Sequence, residues 1–161
     1  MKKLLVASFF LFLLSSCAKN KTVPSAFSYN YNGAQVSGDV YTAYYHRDTT
    51  AHLWLFTARY YAGTPSDSNF IQLNFTSTNY IVPNTYVFGT SYANSTTTGM
   101  ALRVGTANYV ETAGSIQITS IDTAHQQITG NFQFNATNGA NSYQTASITN
   151  GALNNINYQV Q

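Results

Sequence analysis

Apolar residues recur at every second position through much of this 161-residue chain, and this alternation limits the possible folds more than any other feature. In the segment ITGNFQFNA, one face carries Ile128, Gly130, Phe132, Phe134 and Ala136, while Thr, Asn and Gln occupy the positions between them. Successive side chains of a β-strand point to opposite faces, so this segment is typical of a strand with one buried face.

Turn residues divide the alternating segments into strands, Gln35–Tyr45 being one of them. Asn32-Gly33 and Asn150-Gly151 are predicted tight turns, with Asn138-Gly139 as a third, because asparagine and glycine accept the positive φ of a type I′ turn. After the N-terminal segment, no helical periodicity extends beyond two turns. About nine or ten strands predict one all-β domain, an antiparallel β-sandwich with an up-and-down β-barrel as the alternative.

The N-terminus has the parts of a secretory signal, namely Lys2-Lys3, an apolar run and the small residues Ser15-Ser16. The apolar run is too short for a membrane-spanning helix, which needs ~20 residues. The segment Leu14-Ser15-Ser16-Cys17 resembles the bacterial lipobox, in which a small-residue pair precedes a cysteine that is acylated and exposed by cleavage. The resemblance implies a signal peptide at residues 1–16 and a lipidated tether that begins at Cys17. With the alternating pattern described above, the tether is expected to span residues 17–26 and a single β-domain residues 27–161.

Cys17 is the only cysteine of the chain, so it cannot form an internal disulfide. A free thiol or an intermolecular bridge is the alternative to lipidation. Two or more acyl chains hold a protein stably on a membrane without a spanning helix. We therefore expect a membrane-anchored lipoprotein of the cell envelope, held at the outer membrane, with the periplasmic and surface leaflets both open.

The segment from Gly114 to Ile156 carries a second resemblance. Its sequence, GSIQITSIDTAHQQITGNFQFNATNGANSYQTASITNGALNNI, contains G-x-I-x-I-T, an Asp-containing turn, I-x-G-x-F-x-F and I-T-N-G in that order. This order resembles the C-terminal part of small uncharacterised cell-envelope lipoproteins of Bacteroidota, a domain-of-unknown-function family. The resemblance implies a location and a β-architecture, and it implies no activity.

Charged residues are scarce in this chain. Two of the seven basic residues, Lys2 and Lys3, lie in the predicted signal, so residues 17–161 hold five basic and five acidic residues. Without a basic patch to neutralise phosphates, nucleic-acid binding is not expected. Charged residues make up 7% of the chain, against ~25% in ordinary soluble domains. The polar surface therefore comes from Asn, Gln, Ser, Thr and Tyr, which favours sugars, polymers or other proteins as partners.

Two consecutive predicted strands, VYTAYY and LWLFTARYY, carry the candidate ligand-binding residues. These residues are Tyr41, Tyr45, Trp54, Phe56, Arg59 and Tyr60. If one strand face is exposed, the rings and the guanidinium would offer a flat platform for a sugar ring or an extended chain. The alternative is that the rings fill the core, because aromatic residues are enriched in strands.

Catalytic and metal-binding sites are not predicted. The motif G-x-S-x-G does not appear, and four of the five acids fall in or beside predicted turns, where aspartate binds backbone amides. A metal site would have to combine Asp39, His46, Asp48 and His52 around the hairpin HRDTTAH, and a structural site usually needs four ordered ligands. We therefore expect no catalytic residue, no bound metal and no cofactor.

Two predicted turns carry a modification motif. Asp48-Thr49-Thr50 and Asp122-Thr123-Ala124 resemble the Asp-Thr-small acceptor of protein O-glycosylation in Bacteroidota. The resemblance implies O-glycosylation at Thr49 and Thr123, although Asp-Thr also opens ordinary turns.

These observations predict a lipid-anchored domain of the cell envelope that recognises a glycan, a polymer or a partner protein without catalysis. Its membrane contact would be the acyl chains on Cys17. A structural or accessory subunit of an outer-membrane assembly is the first alternative, and a hydrolase is the second.

Overall fold

Eleven β-strands make up the chain that the computed structural model describes, which comprises residues 24–50, 52–63, 69–78, 80–88 and 97–161. The predicted signal peptide, Cys17 and the tether up to residue 23 lie outside the described residues. No helix occurs within the described ranges. The strands are β1 (Phe27–Tyr31), β2 (Ala34–Gly38), β3 (Tyr41–Asp48), β4 (Leu53–Tyr61), β5 (Phe70–Ser77), β6 (Asn84–Val87), β7 (Thr97–Val104), β8 (Ala107–Asp122), β9 (Gln127–Asn138), β10 (Asn141–Asn157) and β11 (Gln159–Val160).

The strands form one sheet in the order β11-β3-β4-β5-β7-β8-β9-β10-β1-β2, and β6 pairs with β8 beside that path. The pairing of β11 with β3 is parallel, and the other pairs are antiparallel. The sheet curls over its inner face into a half-barrel. The predicted all-β fold is confirmed. The strands form one curled sheet and not the two stacked sheets of the predicted β-sandwich. The architecture is therefore closer to the alternative prediction, a β-barrel.

Bulges bend the long strands of this sheet. In β10 the register with β9 shifts between Ile148 and Gly151 and again between Leu153 and Ile156. Asn150 and Asn155 lie at these shifts with φ angles of 51° and 51°, and an extra residue of this kind increases local twist. The predicted turn at Asn150-Gly151 is therefore wrong, because the positive φ that asparagine accepts serves a bulge inside one strand.

The turn predicted at Asn32-Gly33 is confirmed, and the chain also turns just after Asn138, but neither Asn138 nor Gly139 has the positive φ of the predicted type I′ turn. Asn32 and Gly33 connect β1 to β2 with φ angles of 47° and 87°, and Gly139 lies in the turn between β9 and β10. The segment Gln35–Tyr45 divides into β2 and β3 around Asp39. The Asp39 carboxylate accepts a hydrogen bond of 2.6 Å from the Ala26 amide, and the chain passes here from pairing with β1 to pairing with β4.

The inner face of the half-barrel is the hydrophobic core. Phe27, Phe56 and Phe75 are at most 1% exposed. The ring centroid of Phe27 in β1 lies 5.5 Å from that of Tyr60 in β4, although these strands are not neighbours in the sheet. The two arms of the sheet therefore pack against each other through aromatic rings, each of which buries a large apolar area.

The last strand closes the edge of β3. The Gln161 amide donates to the Tyr45 carbonyl at 3.1 Å, and Nδ1 of His46 lies 3.0 Å from the Gln161 carbonyl oxygen. Tyr158 is buried and packs edge-on against Tyr45, with ring centroids 5.7 Å apart. After β10, the chain thus returns to pair with β3, a strand from the N-terminal part of the domain.

Candidate binding site

Three of the predicted platform residues are core residues. Tyr45 is 8% exposed, Phe56 0% and Tyr60 4%. They alternate on the inward faces of β3 and β4, where aromatic burial stabilises the fold. The prediction that these three rings form part of an exposed strip is wrong, and the core alternative holds for them.

Arg59 and Tyr41 are also separate from an exposed strip. Arg59 points to the outer face of β4, where its Nε donates to Oε1 of Gln72 at 2.6 Å and its guanidinium lies 4.5 Å from the ring centroid of Phe70. It cannot share a platform with Trp54, because adjacent odd and even positions of a strand point to opposite faces. Tyr41 is half-buried, with its ring centroid 5.8 Å from that of Phe27.

Trp54 keeps part of its surface exposed and stacks on a residue that the sequence analysis did not select. Its ring centroid lies 4.1 Å from that of Tyr80, and the planes differ by 28°. Tyr80 is 63% exposed. The guanidinium carbon of the exposed Arg47 lies 5.4 Å from the Trp54 ring centroid. We call Trp54, Tyr80 and Arg47 the aromatic platform.

The register of the β3–β4 hairpin positions two of these residues. Arg47 in β3 pairs with Trp54 in β4 across the strands, and side chains of such a pair lie close enough to interact. Tyr45 stacks on Trp54 from the core side, with centroids 5.3 Å apart. The Trp54 ring is therefore supported from the inside of the half-barrel.

Two tyrosine hydroxyls hold the segment that carries Tyr80. The Tyr45 hydroxyl accepts a hydrogen bond from the Ile81 amide at 3.2 Å, and the Tyr86 hydroxyl donates to the Val82 carbonyl at 2.7 Å. Ile81 itself is 6% exposed. Buried Ile81 anchors the segment, so its neighbour Tyr80 stands at the surface. In the sequence, the only indication of this position is an aromatic residue close to Pro83 in a predicted loop.

The histidine and acidic side chains make separate contacts in different parts of the sheet. Oδ2 of Asp122 lies 2.6 Å from Nδ1 of His125, and the side-chain hydrogen bond from His125 lowers the pKa of the exposed Asp122 carboxyl. Across the described residues, no group of three or more His, Cys, Asp and Glu side chains is placed to hold a metal ion. Asp39, His46, Asp48 and His52 are accordingly not brought together.

The two predicted acceptor threonines occupy matching turns. The Asp48 carboxylate accepts from the Thr50 amide at 2.9 Å, and the Asp122 carboxylate accepts from the Ala124 amide at 3.0 Å. Thr49 and Thr123 are the exposed residues between these partners. Their glycosylation stays a prediction.

Comparison with known proteins places the chain without giving it an activity. A family model described as Domain of unknown function (DUF6252) matches residues 57–157. No curated protein and no solved structure matches. Among the described residues, no helix has the length and apolarity needed to cross a membrane. The expected kinship with a family of unknown function is confirmed, and the lipobox, the envelope location and the bacterial group stay predictions.

Proposed function

The chain belongs to the DUF6252 family, whose function is unknown, and we propose that it is a lipid-anchored binding domain of the cell envelope that holds a neutral glycan on the aromatic platform. One observation carries the proposal: Trp54 stacks at 4.1 Å on Tyr80, which is 63% exposed. Contiguous exposed apolar surface marks interaction sites, whereas single scattered apolar residues are ordinary, and the two stacked rings form one such continuous surface.

The chemistry of the platform suits a sugar ring. The apolar C–H face of a pyranose packs on an aromatic ring, and its hydroxyls accept hydrogen bonds at the rim. Tyr80 offers a ring and a phenolic hydroxyl, and Arg47 offers the donors of an exposed guanidinium. The platform has no carboxylate and only one cation, so a neutral glycan fits it without leaving a buried charge.

The platform is also fixed before a ligand arrives. Tyr45 supports Trp54 from the core, and the Tyr45 and Tyr86 hydroxyls hold the backbone at Ile81 and Val82. A ligand therefore has few side-chain and loop motions to suppress, which lowers the entropic cost of binding.

Replacing Tyr80 with alanine is expected to weaken glycan binding roughly tenfold, which corresponds to ~1.4 kcal/mol. The loss follows from removing the exposed ring while the core below it is kept. Trp54 is the only tryptophan of the chain, so its fluorescence reports ligand arrival at the platform directly. A titration with neutral hexasaccharides of glucose, mannose, galactose and N-acetylglucosamine gives the dissociation constants.

Tyr143→Ala is the matched control, because Tyr143 is 96% exposed and lies in β10 rather than at the platform. It is expected to bind like the unchanged protein. Equal affinities for the Tyr80→Ala variant and the control, or no change of Trp54 emission with any of the four sugars, would count against the platform as a glycan site.

The membrane anchor is tested separately. Replacing Cys17 with alanine is expected to move the protein from the membrane fraction to the soluble fraction of its own cells, since no acyl chain can then be attached. Metabolic labelling with an alkyne fatty acid, followed by fractionation, measures both effects. Continued labelling of the Cys17→Ala variant would exclude this cysteine as the lipid site.

A second candidate function, an accessory subunit of an envelope assembly, is favoured by the end of the sheet. Among the described strands, β2 pairs only with β1, and its sequence AQVSG carries no charge. An edge without charge or proline is open to another strand. Migration of the protein in a large complex on native gels, together with no response to the four hexasaccharides, would favour this candidate.

A further inference from the structure

A polar groove lies on the outer face of the sheet, away from the aromatic platform. It has a volume of about 480 Å³, which falls in the range of small-ligand sites. Its polar lining consists of Thr85, Ser115, Gln117, Asn131, Gln133 and Asn150, and we call these residues the amide groove. It shares no residue with the platform. We propose that the amide groove is a second binding site, which takes a neutral polyhydroxylated chain.

The sheet register brings the groove together from four strands. Thr85 of β6 pairs with Gln117 of β8, and Gln117 pairs with Asn131 of β9. Ser115 and Gln133 form the next outward pair along β8 and β9. Cross-strand partners on one face lie about 5 Å apart, so the polar side chains form two adjacent rows.

Bulges shape the outer face into a hollow. Asn150 stands at the bulge of β10 with a φ of 51°, and β8 shifts its register with β9 between Ile118 and Ser120. β9 and β10 lie close together in the floor, since a Cβ added at Gly151 would meet the Phe132 carbonyl oxygen at 2.5 Å. A Cβ added at Gly130 would likewise meet the Gln117 carbonyl oxygen at 2.4 Å, so β8, β9 and β10 all lie close together beneath the polar rows.

Three side-chain amides of the groove, those of Gln117, Asn131 and Gln133, have no protein partner among the described residues. Other outer-face amides bind each other: Nε2 of Gln127 donates to Oδ1 of Asn157 at 3.0 Å, and Nε2 of Gln72 donates to Oδ1 of Asn74 at 2.7 Å. Within the described part of the chain, the side-chain amides of Gln117, Asn131 and Gln133 make no hydrogen bond. Each therefore keeps its two donors and its acceptor for a ligand.

The lining favours a sugar chain over the other extended ligands. No charged side chain lines the groove, so an ionic ligand would find no counter-charge to offset its loss of water. The backbone groups of the floor are engaged in the ladders between β6, β8, β9 and β10. Between β8 and β9, whose facing groups pair with each other, a peptide strand therefore has no free sheet edge to pair with. Amides that both donate and accept match hydroxyl groups, which do the same.

Side-chain amide resonances provide a direct test. With the full chain, titration with the neutral hexasaccharides of glucose, mannose, galactose and N-acetylglucosamine is expected to shift the NH₂ signals of Gln117, Asn131 and Gln133. The triple variant Q117A/N131A/Q133A is expected to weaken this binding at least roughly tenfold, since several hydrogen bonds are lost. The exposed positions of these residues leave the fold intact, which thermal unfolding verifies.

Matched variants separate this site from the platform and from general surface effects. Q127A/N157A removes two outer-face amides that already bind each other, and it is expected to leave the titration unchanged. Tyr80→Ala is expected to leave the groove shifts intact even if it abolishes the Trp54 response. The proposal is overturned if none of the four sugars shifts the groove amides, if the triple variant binds as tightly as the parent, or if an uncharged alanine–serine peptide shifts them more than the sugars do.

Discussion

Replacing Gly130 with alanine is expected to lower the free energy of unfolding by ~3 kcal/mol, at the upper end of the usual cost of overpacking a core. A Cβ at this buried position would meet the carbonyl oxygen of Gln117 at 2.4 Å. The obstacle belongs to the backbone of β8, whose Ile118 pairs with Gly130. The two strands must separate for the methyl group to fit. Urea denaturation, followed by Trp54 emission, measures the loss as a lower midpoint at unchanged slope.

Gly99→Ala is the control for this effect. Gly99 also lies in a strand, but an added Cβ would approach only the Oε1 atom of Glu111, at 3.5 Å. That atom is the end of a flexible side chain and can move. We expect a change of less than ~1 kcal/mol, in the stabilising direction, because alanine restricts the unfolded chain more than glycine does. Similar losses in both variants would show that close strand approach at Gly130 is not the cause.

Raising the pH above about 10 is expected to destabilise the domain steeply. Burial is the main cause that raises the pKa of Tyr29, with the neighbouring Tyr60 and Tyr31 adding to it. Burial likewise raises the pKa values of Tyr45, Tyr60 and Tyr158. In the unfolded chain these phenols lose their protons near pH 10, whereas the folded chain retains them. The unfolded state then binds fewer protons, so the free energy of unfolding falls as the pH rises.

The slope of this decline is ~1.4 kcal/mol per pH unit for a tyrosine that stays protonated in the fold. Tyr29 is expected to show it most fully, because the neighbouring phenols of Tyr60 and Tyr31 add to burial in raising its pKa. Urea midpoints measured from neutral to alkaline pH, together with the ultraviolet absorbance of tyrosinate, follow the effect. Tyr29→Phe should flatten the decline, and Tyr143→Phe should leave it unchanged, since Tyr143 is 96% exposed. Identical curves for the two variants would contradict this origin.

The sequence was sufficient for the fold class because strand alternation is a local signal. The segment around Phe132 and Phe134 has one apolar face, and that face is buried. The turn at Asn32-Gly33 is equally local. Asn150-Gly151 carries the same dipeptide signal, yet it forms a bulge. A turn and a bulge are distinguished here only because β10 pairs with β9 both before and after Asn150-Gly151, and this pairing is not visible in the local sequence.

The candidate sites depended on contacts between distant parts of the chain. β4 carries bulky residues on both faces, and its inward face is set by Phe27 of β1, which packs on Tyr60 from across the half-barrel. No local pattern contains that contact. Tyr80 lies outside the strands, so period-two reasoning could not place it beside Trp54. The amide groove likewise arises from the register of four strands, which the spacing of Gln117 and Asn131 along the sequence does not reveal.

The pairing of early strands with late ones also sets the order in which the chain can fold. β1 pairs with β10, so that Phe27 lies opposite Leu153, and β3 pairs with β11. Neither early strand can complete its place in the sheet until the ribosome has made almost the whole domain. Such long-range pairing slows folding. A lipoprotein exported as proposed above would benefit from this delay, because its sheet cannot close while the last strands of the domain are still being synthesised.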